Sequence, residues 1–457
     1  MTPVITANVK FFSAIVDNIG MTSLKLSVCR TKDRFHRERG QVLPLLAFGI
    51  VAVLGMISLA VDVGYYRYQQ RLEQSAADSA AVAGAIRLYY TTTPGVPAPA
   101  EVTTAARNAA SDNGFADDGS TGNVQVAVNS PPTANTPPVT GATPYPAGSA
   151  VEVYIHKKQP QFFGGIFGSV NPSVGAHAVA VMQSDATACL YQLGLQDDPS
   201  GKGELTMKGN KLVKILKCAA ATNGNVSVPG FDPATTGLIW YGSSGPNAGS
   251  YDPTKIHQVQ SPLLDPCFRI PACAYLQRQP IPPSGQAVNV SNSSSVFAPA
   301  PPGYAVISGC CNSGTTLGPG LYYVYGGVSG AISGDGVTVV NVDGSMGASG
   351  LGAGHPYFSA PTTGPTAGIA FYQPPGNTND VVLNGGGNGA SIWDGVFYAP
   401  SAHITANGGG VTFAFLVIDG IRENGGGNSQ GIVVDPTLGG QVPFNTSLFA
   451  THVVLSQ

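Results

Sequence analysis

The sequence predicts a membrane-anchored α+β region, one long helix plus a small sheet, followed by an all-β domain of parallel β-helix type. Three observations carry that prediction. Val42 to Val61 is an uncharged apolar run of twenty residues, about 30 Å as a helix and therefore enough to cross a bilayer core. An alanine-rich tract then prolongs the helical pattern to Ala85, and short alternating strands follow it. From about Ser184 the texture changes to Gly- and Asn-rich β segments with a recurring Asn-Gly-Gly-Gly. For this last part a β-sandwich with Gly-rich hairpins is the alternative.

Composition bounds the problem. The 457 residues allow two or three domains, and only 10% are charged, against roughly 25% in ordinary soluble domains. Sixty glycines and 36 prolines favour short strands and many turns, while a hydrophobic share of 43% opposes wholesale disorder. A net charge of −3, without a basic patch interleaved with aromatics, excludes a nucleic-acid partner.

Residues 1–39 read as a cytoplasmic tail, with Met21 a second candidate start. Arg30, Lys32, Arg34, Arg37 and Arg39 precede the apolar run against Asp33 and Glu38, and only Arg67 and Arg71 follow closely. That bias keeps the N-terminus in the cytoplasm. A cleaved signal is the rival reading, but its apolar core would be only about 7–15 residues. Here the run is longer and meets Asp62-Val63-Gly64, with Tyr65, Tyr66 and Tyr68 suited to an interfacial belt. An uncleaved transmembrane helix over 40–62 is expected.

Leu72, Ala76, Ala80 and Ala83 form a narrow apolar stripe, so one helix of about 45 residues should run from the membrane to Ala85. Pro94, Pro97 and Pro99 break it. A second helix is predicted from Glu101 to about Asp112, closed by Asn113-Gly114, then strands at Val124–Val128, Val151–Ile155 and Val174–Val181. Residues 63–183 thus form a small α+β domain.

In residues 184–457, Asn-Gly-Gly-Gly stands at 384–387, 407–410 and 424–427, beside β-rich Ser391–Tyr398, Val411–Ile418 and Gly431–Val434. Ser333-Gly334-Asp335-Gly336 is a weaker copy. Spacings near twenty with tight turns suit stacked coils that bury apolar residues only against their neighbours. Thr451–Leu455 is a candidate cap for such a stack.

Of seven cysteines, Cys29 precedes the apolar run and Cys189, Cys218, Cys267, Cys273, Cys310 and Cys311 follow it, one reduced thiol and an even six on an oxidising side. Cys189–Cys218 is the preferred pair, with Cys267 and Cys273 left to serve Cys310 and Cys311. The spacing of Cys267 and Cys273 does not fit a zinc knuckle.

Gly40-Gln41, the apolar span, Asp62-Val63-Gly64 and Gln74-Ser-Ala-Ala-Asp-Ser-Ala-Ala-Val-Ala-Gly-Ala85 together resemble the N-terminal domain of TadE/TadG-like proteins of Flp (tight adherence) pilus assembly. Ala105–Phe115, Phe162-Phe163 and Ser173–Met182 extend the likeness over about residues 38–183. The resemblance marks Gly40, Gln41, Asp62, Gly64, Ala77, Asp78, Ala81 and Gly84 as anchor and motif residues. It implies a pilin-like N-terminal region, a bacterial inner-membrane location with a large periplasmic part, and pilus-assembly proteins or pilin-like subunits as partners. Leu45 stands where a processed prepilin has Glu, so the anchor is expected to stay intact. Some relatives also carry a metal-adhesion motif; the nearest match, Asp343-Gly344-Ser345-Met346-Gly347, lacks a hydroxyl at its last position and reads as a β-turn.

No catalytic group, cofactor or metal ligand is predicted. The alternative is an anchored enzyme acting on polysaccharide, for which Asp394 and Asp419 are the weak candidates, possibly stacked on neighbouring coils, with Asp380, His403 and Arg422 near in sequence. Asp-Gly at a strand end is first a turn signal, and Trp393 reads as packing rather than a sugar platform.

Overall fold

The computed structural model describes residues 42–91, 100–119, 122–132, 145, 148–163, 172–194, 204–207, 213–227, 237–240, 253–258, 262–298, 303–310, 315–330, 332–348, 357–385, 391–408, 410–423, 431–438 and 449–456. They fall into two compact units, Met1–Val63 with Phe162–Gly168, and Gly64–Gln161 with Ser169–Gln457.

Helix α1 spans Val42–Thr91, 50 residues, and ends just before the prolines. It is the one described helix long and apolar enough to cross a membrane. In the first unit its apolar side chains face outwards all round, from Leu43 at 77% exposed to Leu59 at 66%. By length and composition this stretch is able to cross a membrane, and none of its apolar window is buried against the protein.

In the second unit the later part of α1 packs with α2 (Ala100–Asp112) on an antiparallel sheet. The sheet comprises β1 (Val124–Asn129), β2 (Ala150–Lys158), β3 (Ser173–Gln192) and a C-terminal strand, Phe449–Ser456. Pairing runs β1–β2–β3–C-terminal strand. Register brings Val126, Ile155 and Ala176 into one row and Val128, Val153 and Ala178 into the next. Most of these buried residues belong to the core that also holds Ala76, Ala77, Ala80, Ala81, Ala85 and Leu88 of α1. The expected stripe is met at Ala76 and Ala80, both fully buried, and corrected at its ends. Leu72 is 40% exposed and Ala83 only half-buried, while the docked face widens to take in Ala77, Ala81, Ala85 and Leu88.

β3 continues without interruption past residue 184. Its first part pairs antiparallel with β2, while residues 188–192 pair parallel with Ala219–Thr222 and Val411–Glu423. From there the pairing is parallel throughout, in three ladders. The first climbs through Val288–Asn289, Tyr304–Cys310, Gly320–Ser329, Val337–Asn341, Ile369–Tyr372, then residues 396–398 and 415–418. It passes next to β3 and ends on Ala219–Thr222, Gly237–Trp240 and Ile256–Gln258. The second joins Ser295–Val296, Thr315–Leu317, Ile332–Gly334, Tyr357–Ser359, residues 391–393 and 411–413, Ile432–Val434 and Val213–Ile215. The third runs from residues 328–329 through Met346–Ala348, Val381–Gly385 and residues 404–408 and 421–423 to Glu204–Met207 and Asn225–Ser227.

Spatial order therefore departs from chain order: the strands of 204–258 stack beyond 411–434, although they precede 288–434 in sequence. The segment holding the short helix Pro266–Arg269 and α3 (Pro271–Arg278) connects the two sets and packs on the outer tyrosines of the first ladder. Inside, parallel register stacks like on like. Phe358 lies on Trp393 at 4.7 Å and Phe371 on Phe397 at 4.3 Å between ring centroids. Such offset pairs add about 0.5–1.5 kcal/mol each beyond area burial.

Two further expectations are corrected. Cys189 is bonded to Cys218, but Cys267 is bonded to Cys273, not to Cys310 or Cys311. Ile270 turns the chain between two short helices and brings the Cα atoms of Cys267 and Cys273 to 5.2 Å, so local closure wins over a distant partner. Cys310 is also disulfide-bonded; Cys311 and Cys29 lie outside the described residues. The C-terminal strand does not cap a parallel stack. It pairs antiparallel with β3, Val454 opposite Val181.

Candidate functional site

The motif residues fall on α1, and each unit uses them differently. Gly40 and Gln41 lie outside the described residues. In the first unit Asp62 is 5% exposed although Val61 and Val63 beside it are 46% and 48% exposed. Its Oδ2 accepts the backbone N–H of Phe163 at 3.2 Å. Phe162 and Phe163 are themselves 56% and 41% exposed.

In the second unit the seam between α1 and the sheet is built from small residues. Ala77 and Ala81 are fully buried. Gly84 allows the closest approach: a Cβ there would stand 2.9 Å from Val151 Cγ1 and 3.4 Å from Ala106 Cβ. Gly64 meets no such neighbour. Asp78 accepts from Gln74 Nε2 at 2.8 Å, and Gln74 also donates to the His177 carbonyl at 2.9 Å, tying α1 to β3. One polar pair is sealed in the seam. Gln159 Nε2 donates to Glu73 Oε1 at 2.9 Å, and Glu73 is fully buried. Burial pushes the Glu73 carboxyl up to about 7, against the smaller opposing effects of Gln159 and Lys157.

On the other sheet face Glu152, also fully buried, accepts from Asn129 Nδ2 at 2.9 Å and Tyr154 Oη at 3.0 Å, and pairs with His177 Nε2 at 3.1 Å. Sequence reasoning passed over Glu73 and Glu152. Glu152 carried a signal, an acidic residue amid the apolar strand Ala150–Ile155, whereas Glu73 sits among polar neighbours and carried none.

The two carboxylate candidates are not stacked, which corrects that expectation. Asp394 lies on the second ladder opposite Ser359, whereas Asp419 follows Ile418, which pairs with Ala399 and Gln192 on the first. Asp394 is 5% exposed and accepts from Tyr357 Oη at 3.3 Å; burial raises its carboxyl above the usual range. The carboxylate it shares a row with is Asp335, which accepts from Ser359 Oγ. Asp419 contributes its backbone carbonyl to Gln192 Nε2 at 2.6 Å. His403 and residue 422 sit on the third ladder, His403 buried. Trp393 is 1% exposed and wedged among Phe358, Phe371 and Phe397, an interior packing residue.

Polar rows also run through the parallel region. Asn341 Nδ2 donates to Gln373 Oε1 at 2.9 Å, and Thr222 donates to Gln192. Two copies of the Asn-Gly-Gly-Gly repeat meet in register at their first residues, Asn384 opposite Asn407 and Gly385 opposite Gly408; the third, at 424–427, lies outside the described residues. At Asp343-Gly344 the aspartate accepts the Gly326 N–H at 2.6 Å, and a Cβ on Gly344 would sit 2.7 Å from the Gly326 and Gly327 backbone, so this turn nests directly on the one below. Among the described residues no group of three or more His, Cys, Asp or Glu is placed to hold a metal ion.

Comparison with known proteins adds one finding. Residues 40–87 match the family model described as Flp pilus-assembly TadE/G-like, and residues 83–180 match the model described as Tad-like Flp pilus-assembly. No curated protein and no solved structure matches the chain.

Proposed function

We propose, from the Tad-like pilus-assembly domain at residues 40–180, that the chain is a non-enzymatic inner-membrane anchor of Flp-type pilus assembly or adhesion. Residues 1–39 are the cytoplasmic tail, 40–62 cross the bilayer, 63–183 form the α+β domain, and 184–457 form a disulfide-stapled parallel β-helix in the periplasm or further out. The observation that carries this reading is the coincidence of the Tad-like match with a helix whose apolar residues 42–61 face outwards and whose Ala77, Ala81 and Gly84 dock on a sheet. Three parallel ladders over one aromatic interior support the β-helix assignment, since a parallel sheet needs both faces covered. The α+β domain offers pilin-like partners a rigid body, and the stacked coils a stiff outward surface.

The test is affinity purification of the full chain from detergent-solubilised membranes. Pilus-machinery components should accompany it. Recovery of the chain as a free soluble protein, shortened within the apolar run, would overturn the anchor, and an intact membrane protein without such companions would overturn the assembly role.

A further inference from the structure

In the connection after β2, Phe162 and Phe163 belong to the same compact unit as the apolar end of α1. Two facts place them. The Phe163 N–H is bonded to Asp62 Oδ2 at 3.2 Å, and Asp62 is the first charged residue after the run that ends at Val61. Asp62 is nearly buried there while Phe162 and Phe163 keep 56% and 41% of their surface exposed.

Physical chemistry gives this arrangement a direction. A carboxylate one residue beyond a bilayer-length apolar span sits where hydrocarbon gives way to headgroups, and it needs a donor. The Phe163 amide supplies one, so the chain is hooked to the helix at that depth. Two neighbouring phenylalanines left in water would form an apolar patch continuous with the span, at a cost. The same rings at the interface are at their favoured level, where aromatic residues collect.

We infer that Phe162 and Phe163 form a second membrane contact, inserting at the headgroup–acyl boundary of the outer leaflet beside the helix, with Asp62 as the hook that sets their depth. The occupant is lipid, argued from continuity with the span, and the inference rests on the proposed anchoring. It deepens that proposal from a single tether to a two-point seat that limits the freedom of the chain at the membrane surface.

The experiment uses the full chain reconstituted into phosphatidylethanolamine–phosphatidylglycerol vesicles carrying brominated acyl chains. Phe163→Trp, Phe162→Trp and Leu54→Trp are compared with the parent, whose own emission from its two tryptophans is subtracted. Both loop variants should show blue-shifted added emission, quenched strongly by bromines near the glycerol level and weakly by bromines near the chain ends. Leu54→Trp, from the middle of the span, should show the reverse depth preference. If Leu54→Trp is quenched but neither loop variant is, the anchor stands and the second contact is overturned. If Leu54→Trp is not quenched, the anchoring reading fails and takes this inference with it. The two loop variants guard each other against a local folding defect, and Asp62→Ala, which removes the acceptor of the Phe163 N–H, should weaken quenching at both loop positions without altering that of Leu54→Trp.

Discussion

Glu73 is the residue at which the buried seam becomes measurable. Its carboxyl rises from 4.5 to about 7 on folding, chiefly through burial. Below pH 4.5 it is protonated in both the folded and unfolded chain. Between 4.5 and 7 the unfolded chain gives up the proton first, so stability falls as pH rises, and above 7 the loss is complete. The penalty at neutral pH is on the order of 1–3 kcal/mol, allowing for partial screening. Glu73→Gln retains an acceptor for Gln159 and carries no charge to desolvate. Thermal unfolding of the purified variant should be higher than the parent at pH 8 and nearly equal at pH 4.5; a parent whose stability is flat across that interval would contradict a buried, protonatable Glu73. Glu152 differs because three partners surround it, so burial there is matched by hydrogen bonds.

Helix α1 has two stretches of different character, an apolar run exposed on every side and a run docked on the sheet. The first was legible from hydropathy alone, because a long uncharged apolar run is written in the local composition. The docked stretch was half-legible: Ala76 and Ala80 announced the close approach and are buried, but Leu72 and Ala83 at the ends of the expected stripe are not, and Ala77, Ala81, Ala85 and Leu88 widen the docked face. Helix periodicity finds a small-residue face without saying how wide a strip of it a sheet will cover. Gly84 decides the packing distance. Gly84→Ala should destabilise by about 1–3 kcal/mol through its encounter with Val151, and adding Val151→Ala should recover part of that loss, read as a non-additive double-variant cycle in denaturant unfolding. Strictly additive losses would mean that Gly84 and Val151 do not set the approach.

At the scale of the whole molecule, parallel stacking is held by an aromatic interior and two described staples of different reach. Cys189–Cys218 closes 29 residues and joins β3 to its neighbouring strand, while Cys267–Cys273 closes six on the outer segment. Loop-closure entropy ranks them at about 3–4 and about 2–3 kcal/mol. Replacing each pair by alanines should lower unfolding free energy in that order, by equilibrium denaturation of the oxidised protein. A larger loss from Cys267 and Cys273 would show that native packing of α3, rather than chain entropy, governs. The same segment covers Tyr372 and Tyr398, stacked at 5.1 Å, and Asp265 takes the Tyr398 hydroxyl at 2.7 Å; burial raises the Asp265 carboxyl, so this contact is sheltered from water.

By itself the sequence determined the apolar helix, the α+β order that follows it and the Gly/Asn-rich change of texture. Each of these depends on local composition and on the period of hydrophobicity, which the chain writes out residue by residue. Only the tertiary structure decided that 204–258 stack beyond 411–434, that Cys267 turns to Cys273, and that Asp394 shares a row with Ser359 and Asp335 rather than Asp419. Those outcomes depend on which strand edges meet after long connections. Irregular spacings leave several registers with similar local merit, and the buried aromatic stack selects among them only once the whole interior is assembled.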